Sequence, residues 1–165
     1  MHCYNRQTYQ WEKVIDQKEV TPRTNFTMIY LHPYLVAFGG TTIEEKHSND
    51  LMFMNVGKSS RCVWNNIKGR QTPCLNWPIP RINHAMCEYK NKSIILFGGE
   101  SNKGDLLNDL WLLDVQKISE HDKLWSRLQP DGNYHPQKRK RHSICSIDSF
   151  LYLLGGMYKY MNDVK

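Results

Sequence analysis

Short apolar runs that end in paired glycines recur three times along the chain. The runs occupy 35–38, 94–97 and 151–154, and the glycine pairs follow at 39–40, 98–99 and 155–156. Their shortness and the near absence of helical periodicity predict buried strands. A glycine pair at a strand end predicts backbone with a positive φ, or a close approach by another segment.

Three other signals keep the same order relative to the glycine pairs. An Asn-Asp pair follows each, at 49–50, 108–109 and 162–163, and the first two lead into strand-like runs at 52–56 and 111–115. A tryptophan then opens a short segment, and a basic residue precedes each glycine pair, followed by a histidine in two copies. The members are Trp11, Trp64 and Trp125; Arg23, Arg81 and Arg141; and His84 and His142.

A repeat of roughly 53 to 61 residues signals an architecture built from one supersecondary unit. Each unit yields four short strands, joined by the turn residues Pro, Gly, Asn and Asp. Four antiparallel strands per unit are typical of a β-propeller blade. We expect the tryptophan to seal one blade against the next, and the Asn or Asp before the third strand to close a turn through its own side chain.

The combined motifs resemble the kelch-repeat family. The strand-Gly-Gly unit and the later tryptophan occur in each full copy, and a Pro-Arg-x-x-His entry is complete at 80–84. The copies depart from the family at Met54 and Leu113, where an aromatic residue is usual. The short length and the bias towards Lys, Asn and Ile further resemble the small kelch-like proteins of poxviruses.

The resemblance implies an all-β fold, an incomplete kelch β-propeller of about three four-stranded antiparallel blades. The single array runs over 1–165, with the end of a blade at 1–15, blades at 22–67 and 80–128, and the start of a blade at 141–165. Propellers need about four to eight blades, so both end faces are open. Self-association or a partner would cover them, or the chain is a truncated remnant of a longer kelch protein. We expect no BTB domain, so an adaptor role in ubiquitin ligation is not supported.

The net charge of +6 is concentrated in one place. The run Lys138–Arg141 carries four positive charges, and the rest of the chain is nearly balanced. Such a run suggests nuclear import or nucleic-acid association. The alternative is a solvated loop between blades, and nucleic acid is not expected as a partner because no aromatic residues interleave for base stacking.

Histidines and cysteines are the remaining candidates for chemistry. His84 and His142 share a blade position, which suggests a metal or acid-base pair, but no further ligands lie at ligand spacing. We therefore expect each to make a backbone hydrogen bond in a turn or strand. The cysteines form no C-x-x-C pair, and we expect free, mostly buried thiols; they are Cys3, Cys62, Cys74, Cys87 and Cys145. The glycan acceptor patterns at Asn25 and Asn91 are expected to be unmodified.

These features favour a non-enzymatic protein-protein interaction module that needs no cofactor, metal or membrane. The loops at 41–49, 100–107 and 129–140 differ in length and charge, as partner-binding loops on a repeated scaffold do. The viral resemblance implies a host protein as partner and a role in virus-host interaction. Without a signal peptide we expect an intracellular, cytoplasmic location, with the nucleus as the alternative. Some kelch propellers are copper oxidases, but those need a complete ring.

Overall fold

The computed structural model describes residues 1–13, 21–44, 46–57, 63–69, 76–120 and 123–158. Regular structure in these residues consists of fifteen strands and one 3₁₀ helix, so the predicted all-β fold is confirmed. The described ranges contain no helix of the length and apolarity that a membrane crossing requires.

The chain opens with an antiparallel hairpin of β1 (His2–Asn5) and β2 (Gln10–Lys13). Tyr4 lies directly opposite Trp11, and their ring centroids are 5.4 Å apart. Trp11 is 72% exposed. The sequence predicted that Trp11 packs in a blade core, and this is wrong for the described structure, where the exposed ring packs beside Tyr4 of the same hairpin.

The first complete blade is a four-stranded antiparallel sheet in the order β4-β5-β7-β8, and the short strands β3 and β6 pair beside it. The bounds are β3 (Arg23–Thr24), β4 (Thr27–Leu31), β5 (Tyr34–Phe38), β6 (Thr41–Thr42), β7 (Leu51–Asn55) and β8 (Asn65–Ile67).

The second blade repeats this order as β10-β11-β12-β13, with β9 paired to the end of β11. The bounds are β9 (Arg81–Ile82), β10 (Ala85–Tyr89), β11 (Ser93–Ser101), β12 (Leu106–Asp114), the 3₁₀ helix Val115–Lys117 and β13 (Trp125–Leu128). A third copy begins with the hairpin of β14 (Ser143–Ile147) and β15 (Phe150–Leu154).

The first strands of the three copies are neighbours, because β10 contacts β4 on one side and β14 on the other. The Thr27 hydroxyl donates to the backbone carbonyl of His84 over 2.9 Å, which ties β4 to the second blade. The blades therefore follow one another around a common inner edge, as in a partial propeller whose sheets do not close.

The main core lies between the two complete sheets. The Trp125 ring is 4.9 Å from the Phe38 ring and 6.3 Å from the Trp77 ring. These rings pack with buried Leu51 and Leu96. The prediction that the outer-strand tryptophan seals adjacent blades is confirmed for Trp125.

Trp64 packs in a separate, smaller cluster. Its buried neighbours are Ala37, Met52 and Met54. Ala37 and Met52 lie opposite each other on β5 and β7, so this cluster covers the other face of the first sheet. Trp64 is therefore a core residue, as predicted.

Candidate protein-binding face

One arginine in each copy donates a hydrogen bond to the carbonyl of the first glycine in its own pair. The three bonds are Arg23 to Gly39 at 3.1 Å, Arg81 to Gly98 at 2.9 Å and Arg139 to Gly155 at 3.0 Å. Each of these arginines lies in the segment that leads into the first strand of its copy, which we call the entry segment. The bond anchors the entry segment to the end of the second strand.

The third of these arginines is Arg139, whereas the sequence pattern predicted Arg141 in this position, so that prediction is wrong. Arg141 has a φ of 57° and matches Asn25 and Asn83, whose φ values are 57° and 54°. The run 138–141 offers four basic residues, and only Arg139 has its histidine three residues later, as Arg81 has.

Arg81 is fully buried and forms a paired ion contact with Asp109. Its two terminal nitrogens each lie 2.7 Å from a different carboxylate oxygen, and the Trp111 indole donates to the same group over 2.7 Å. Burial alone would raise the pKa of Asp109, but hydrogen bonds and charge from Arg81, with Trp111 and Arg127, lower it below its usual value. Asp109 is therefore a structural anion and not a proton donor.

The expected turn-closing role is wrong for Asp50 and Asp109, whose carboxylates bind other segments of the chain. In the first copy, Asp50 accepts from the Gly69 backbone and pairs with Lys68, both at 2.9 Å. Side chains close turns instead at the C-terminal end of the third strand in each complete blade. The same turn follows β1, which corresponds to a third strand at the N-terminus of the chain. Each side-chain oxygen there accepts from the backbone N–H two residues later; the acceptors are Asn5, Asn55 and Asp114.

Backbone hydrogen bonds join each copy to the next. The second glycine of a pair donates to the entry arginine of the following copy, from Gly40 to Arg81 at 3.0 Å and from Gly99 to Arg139 at 2.9 Å. A second series links the positive-φ residues, from Asn83 to Asn25 at 3.1 Å and from Arg141 to Asn83 at 2.9 Å.

The glycine pairs have the geometry that the sequence predicted, since all six have positive φ. A Cβ on Gly39 would lie 2.7 Å from the Arg81 carbonyl, and one on Gly98 would lie 2.8 Å from the Arg139 carbonyl. Neighbouring copies therefore approach too closely for any side chain at this position.

The two histidines lie in these junctions between copies. The His84 ring packs edge-on to Phe38 at 5.7 Å, and His142 packs edge-on to Phe97 at 5.4 Å. Burial, followed by the nearby charges of Arg81 and His142, lowers the pKa of His84 to about 3, against a smaller opposing effect of Asp109.

This environment makes His84 a neutral packing residue. Neither of its ring nitrogens has a hydrogen-bond partner among the described residues, whereas its backbone carbonyl accepts from the Thr27 hydroxyl over 2.9 Å. In the part of the chain that the structure describes, no three His, Cys, Asp or Glu side chains lie together in a metal-binding group. Phe26 stands at the same position in the first copy.

The basic run is only in part the solvated loop that the sequence suggested. Lys138 and Arg141 are exposed, whereas Arg139 binds the Gly155 carbonyl and buried Lys140 pairs with Glu100 at 2.6 Å. Only two of the four charges are therefore available to a nucleic acid or an import receptor.

The described cysteines are free thiols, but they differ in exposure. Cys87 is buried, and burial with nearby Cys145 raises its pKa to about 11. Cys3 and Cys145 are exposed, so the expectation of burial is wrong for them. Cys62 and Cys74, like the third Asn-Asp pair, lie outside the described residues.

The loops predicted to bind partners project at one end of the blades, and we call this surface the loop-end face. It comprises the described residues of 41–49, 100–107 and 129–140. Entry segments lie between its loops, since the backbone of Arg81 donates to Ser48 and that of Arg139 donates to Leu107.

Two clefts open in the loop-end face at equivalent positions of successive copies. The cleft of about 610 Å³ is lined by Trp77, Leu107, Arg127 and Lys138, among others. The cleft of about 710 Å³ lies beside the Asp50–Lys68 pair. Volumes of this size are in the range of ligand-binding clefts, roughly 300–1,000 Å³.

Successive four-stranded blades joined at glycine pairs define a propeller-type repeat domain. Residues 1–165 match the family model described as the KLHDC2/KLHL20/DRC7 Kelch-repeats domain. The chain belongs to the kelch-repeat family. Kelch-repeat domains are typically non-enzymatic interaction modules, and the match indicates no enzyme family.

Several curated proteins are similar to the chain. Dynein regulatory complex subunit 7 of Chlamydomonas reinhardtii is 33% identical over 81% of the chain and 11% of the relative. The host cell factor homolog of Caenorhabditis elegans is 30% identical over 95% and 21%. An F-box/kelch-repeat protein of Arabidopsis thaliana is 28% identical over 76% and 25%. The chain thus spans a quarter or less of these relatives.

Proposed function

We propose that the chain binds a partner protein through the loop-end face. The observation that carries this proposal is the fixed spacing of its loops. Equivalent backbone bonds join each copy to the next, while the projecting loops differ in sequence and charge. A rigid repeated frame with variable loops is the arrangement that repeat proteins use for recognition.

The charges of the clefts indicate the chemistry of the partner. In the cleft beside Trp77, Arg127 and Lys138 are exposed, and neither forms an ion pair with a described residue. Asp109 in the same cleft is already neutralised by Arg81. An acidic segment carrying an apolar side chain would complement the two cations and the apolar lining.

The resemblance to short poxvirus kelch-like proteins extends the proposal to a host-cell protein as partner. The relatives described above come from an alga, a nematode and a plant, so this extension rests on the sequence resemblance alone. The free thiols of Cys3, Cys87 and Cys145 support an intracellular setting, where cysteines stay reduced.

Affinity capture with the full chain as bait tests the proposal. We expect specific proteins to be retained by the wild type and lost with the charge-reversed variant Arg127→Glu/Lys138→Glu. The matched control is Lys90→Glu/Lys92→Glu, on the exposed turn at the opposite end of the second blade, which should retain them. Equal capture by all three baits would refute binding at the loop-end face, and no capture above background would favour the remnant alternative.

A further inference from the structure

The two terminal hairpins are complementary halves of one blade. In both complete blades the first and second strands form one hairpin, and the third and fourth strands follow. β14 and β15 correspond to the first half, and β1 and β2 to the second. In the single chain each hairpin is a separate two-stranded sheet, so the described strands leave one edge of β15 and one edge of β1 unpaired.

The register of this missing pairing can be read from the complete blades. The last residue of the third strand lies opposite the first residue of the second strand, as Asn55 lies opposite Tyr34 and Asp114 opposite Ser93. Asn5 makes the same side-chain turn as Asn55 and Asp114. Aligned in this way, β1 runs along β15 with Asn5 opposite Phe150 and Cys3 opposite Tyr152.

The C-terminal end of β15 also lacks the packing that the corresponding ends of β5 and β11 have. Leu154 precedes the third glycine pair as Phe38 and Phe97 precede the first two. It is 80% exposed, whereas Phe38 is 0% and Phe97 is 4% exposed, because a histidine of the next copy covers each of them. Nothing described lies within 4 Å of a Cβ built on Gly155.

The segment that would fill this position lies in the first copy, at the other open face of the same chain. Phe26 occupies the histidine position of the first copy and is exposed, together with Met28 and Tyr30 on β4. Inserted against Leu154 and Gly155, Phe26 would repeat the contact of His84 with Phe38 and Gly39. The insertion would continue an interface that the molecule already contains twice.

Backbone and hydroxyl groups match across the same two faces. The series in which Arg141 donates to Asn83 and Asn83 donates to Asn25 would continue from Asn25 of a second copy to the carbonyl of Arg141. Ser143 is exposed at the register of Thr27, so its hydroxyl can donate to the Phe26 carbonyl as Thr27 donates to His84.

We propose that two copies of this chain close one propeller by exchanging half-blades, with β15 of each copy pairing with β1 of the other. Two whole blades from each copy and two shared blades make a ring of six, within the range of about four to eight found in propellers. The same pairing within a single chain would give only three blades. The two-fold arrangement covers both open faces and leaves no free end for further growth.

A cysteine placed opposite native Cys3 tests the register. Directly opposite residues of an antiparallel pair have Cβ atoms about 4.5–5.5 Å apart, close to the range that a disulfide spans. Native Cys145 lies directly opposite Tyr152 on β14 and would compete for the new thiol, so it is replaced by serine. Under mild oxidation, Tyr152→Cys/Cys145→Ser should give a covalent dimer linked through Cys3, identified by peptide mass spectrometry. The matched control Tyr152→Cys/Cys145→Ser/Cys3→Ser should lose that link.

Light scattering on the unmodified chain provides the second measurement. We expect a dimer of twice 19.5 kDa, and Leu154→Glu should raise its dissociation constant at least about tenfold, since the variant buries a charge at the junction. Tyr134→Glu, at an exposed loop residue, should leave the dimer intact. A monomer at all concentrations, an open series of larger oligomers, or a Cys3 disulfide within one chain would each overturn the proposal.

This inference does not rest on the loop-end face, and its failure is distinguishable from failure of the proposed function. Arg127→Glu/Lys138→Glu should abolish partner capture without changing the dimer. Leu154→Glu should dissociate the dimer while its loop-end residues stay unaltered.

Discussion

At the scale of single residues, the junction between blades contains a buried arginine whose charge is neutralised by an aspartate. Arg81 is completely buried, and its charge is balanced by Asp109 with both pairs of atoms at 2.7 Å. The sequence identified both residues as repeated features but could not pair them. They are 28 residues apart, and nothing local indicates that one folds back onto the other.

Replacing Asp109 by alanine leaves the Arg81 charge buried without a counterion. We expect the free energy of unfolding to fall by about 3–5 kcal/mol, the usual cost of breaking a buried pair. Urea denaturation monitored by tryptophan fluorescence measures it. The control is Glu44→Ala, which removes the exposed partner of Lys46 and should change stability little. Equal losses in the two variants would show that the buried pair contributes nothing special.

His84 gives the protein a defined response to acid. Its folded-state pKa of about 3 lies below the ordinary value of 6.5, so the unfolded chain binds a proton that the folded chain does not. The effect of this difference on the free energy of unfolding is absent above pH 6.5. As the pH falls from 6.5 towards 3, the free energy of unfolding decreases, by about 2 kcal/mol at pH 5.

His84→Phe should reduce the difference in unfolding free energy between pH 7.5 and pH 5, because phenylalanine fills the same position in the first copy and does not titrate. Some dependence should remain, since burial and nearby Arg139 also lower the pKa of His142. The exposed residue His135, changed to phenylalanine, serves as the control. An unchanged pH profile in His84→Phe would contradict the assignment.

At the scale of elements, the strand-Gly-Gly unit was readable from sequence because its causes are local. A short apolar run and a residue that tolerates positive φ are both visible in the chain. The register of the third entry was misread, because four consecutive basic residues precede the histidine. The three-residue spacing from Arg139 to His142, the same as from Arg81 to His84, is visible in the sequence, and the bond to Gly155 agrees with it.

Gly98→Ala tests the close approach of successive copies. The new methyl group would lie 2.8 Å from the Arg139 carbonyl, whereas at Gly104 it meets nothing within 4 Å, and both residues have positive φ. We expect Gly98→Ala to lose about 1–3 kcal/mol more stability than Gly104→Ala, the cost of overpacking. Similar losses, measured by thermal or urea denaturation, would mean that backbone strain alone requires glycine.

At the scale of the whole molecule, the repeat pattern predicts blades and open faces but does not show which residues cover those faces. Trp125 lies in the core between two blades, while Trp11 is on the surface because its hairpin has no neighbouring sheet among the described strands. The motif is the same in both places. Burial depends on which copies lie next to it, and a repeat pattern alone does not contain that information.

In the described part of the chain, the bonds between copies run from each copy to the next, and none of them joins the first copy to the third. In a linear array of this kind, opening begins at the ends and proceeds inwards. Hydrogen-deuterium exchange of dilute protein should therefore show fraying of β1, β2 and β15 well before β11 and β12 lose their amide protons. Uniform exchange across all strands would indicate that the array melts as one cooperative unit.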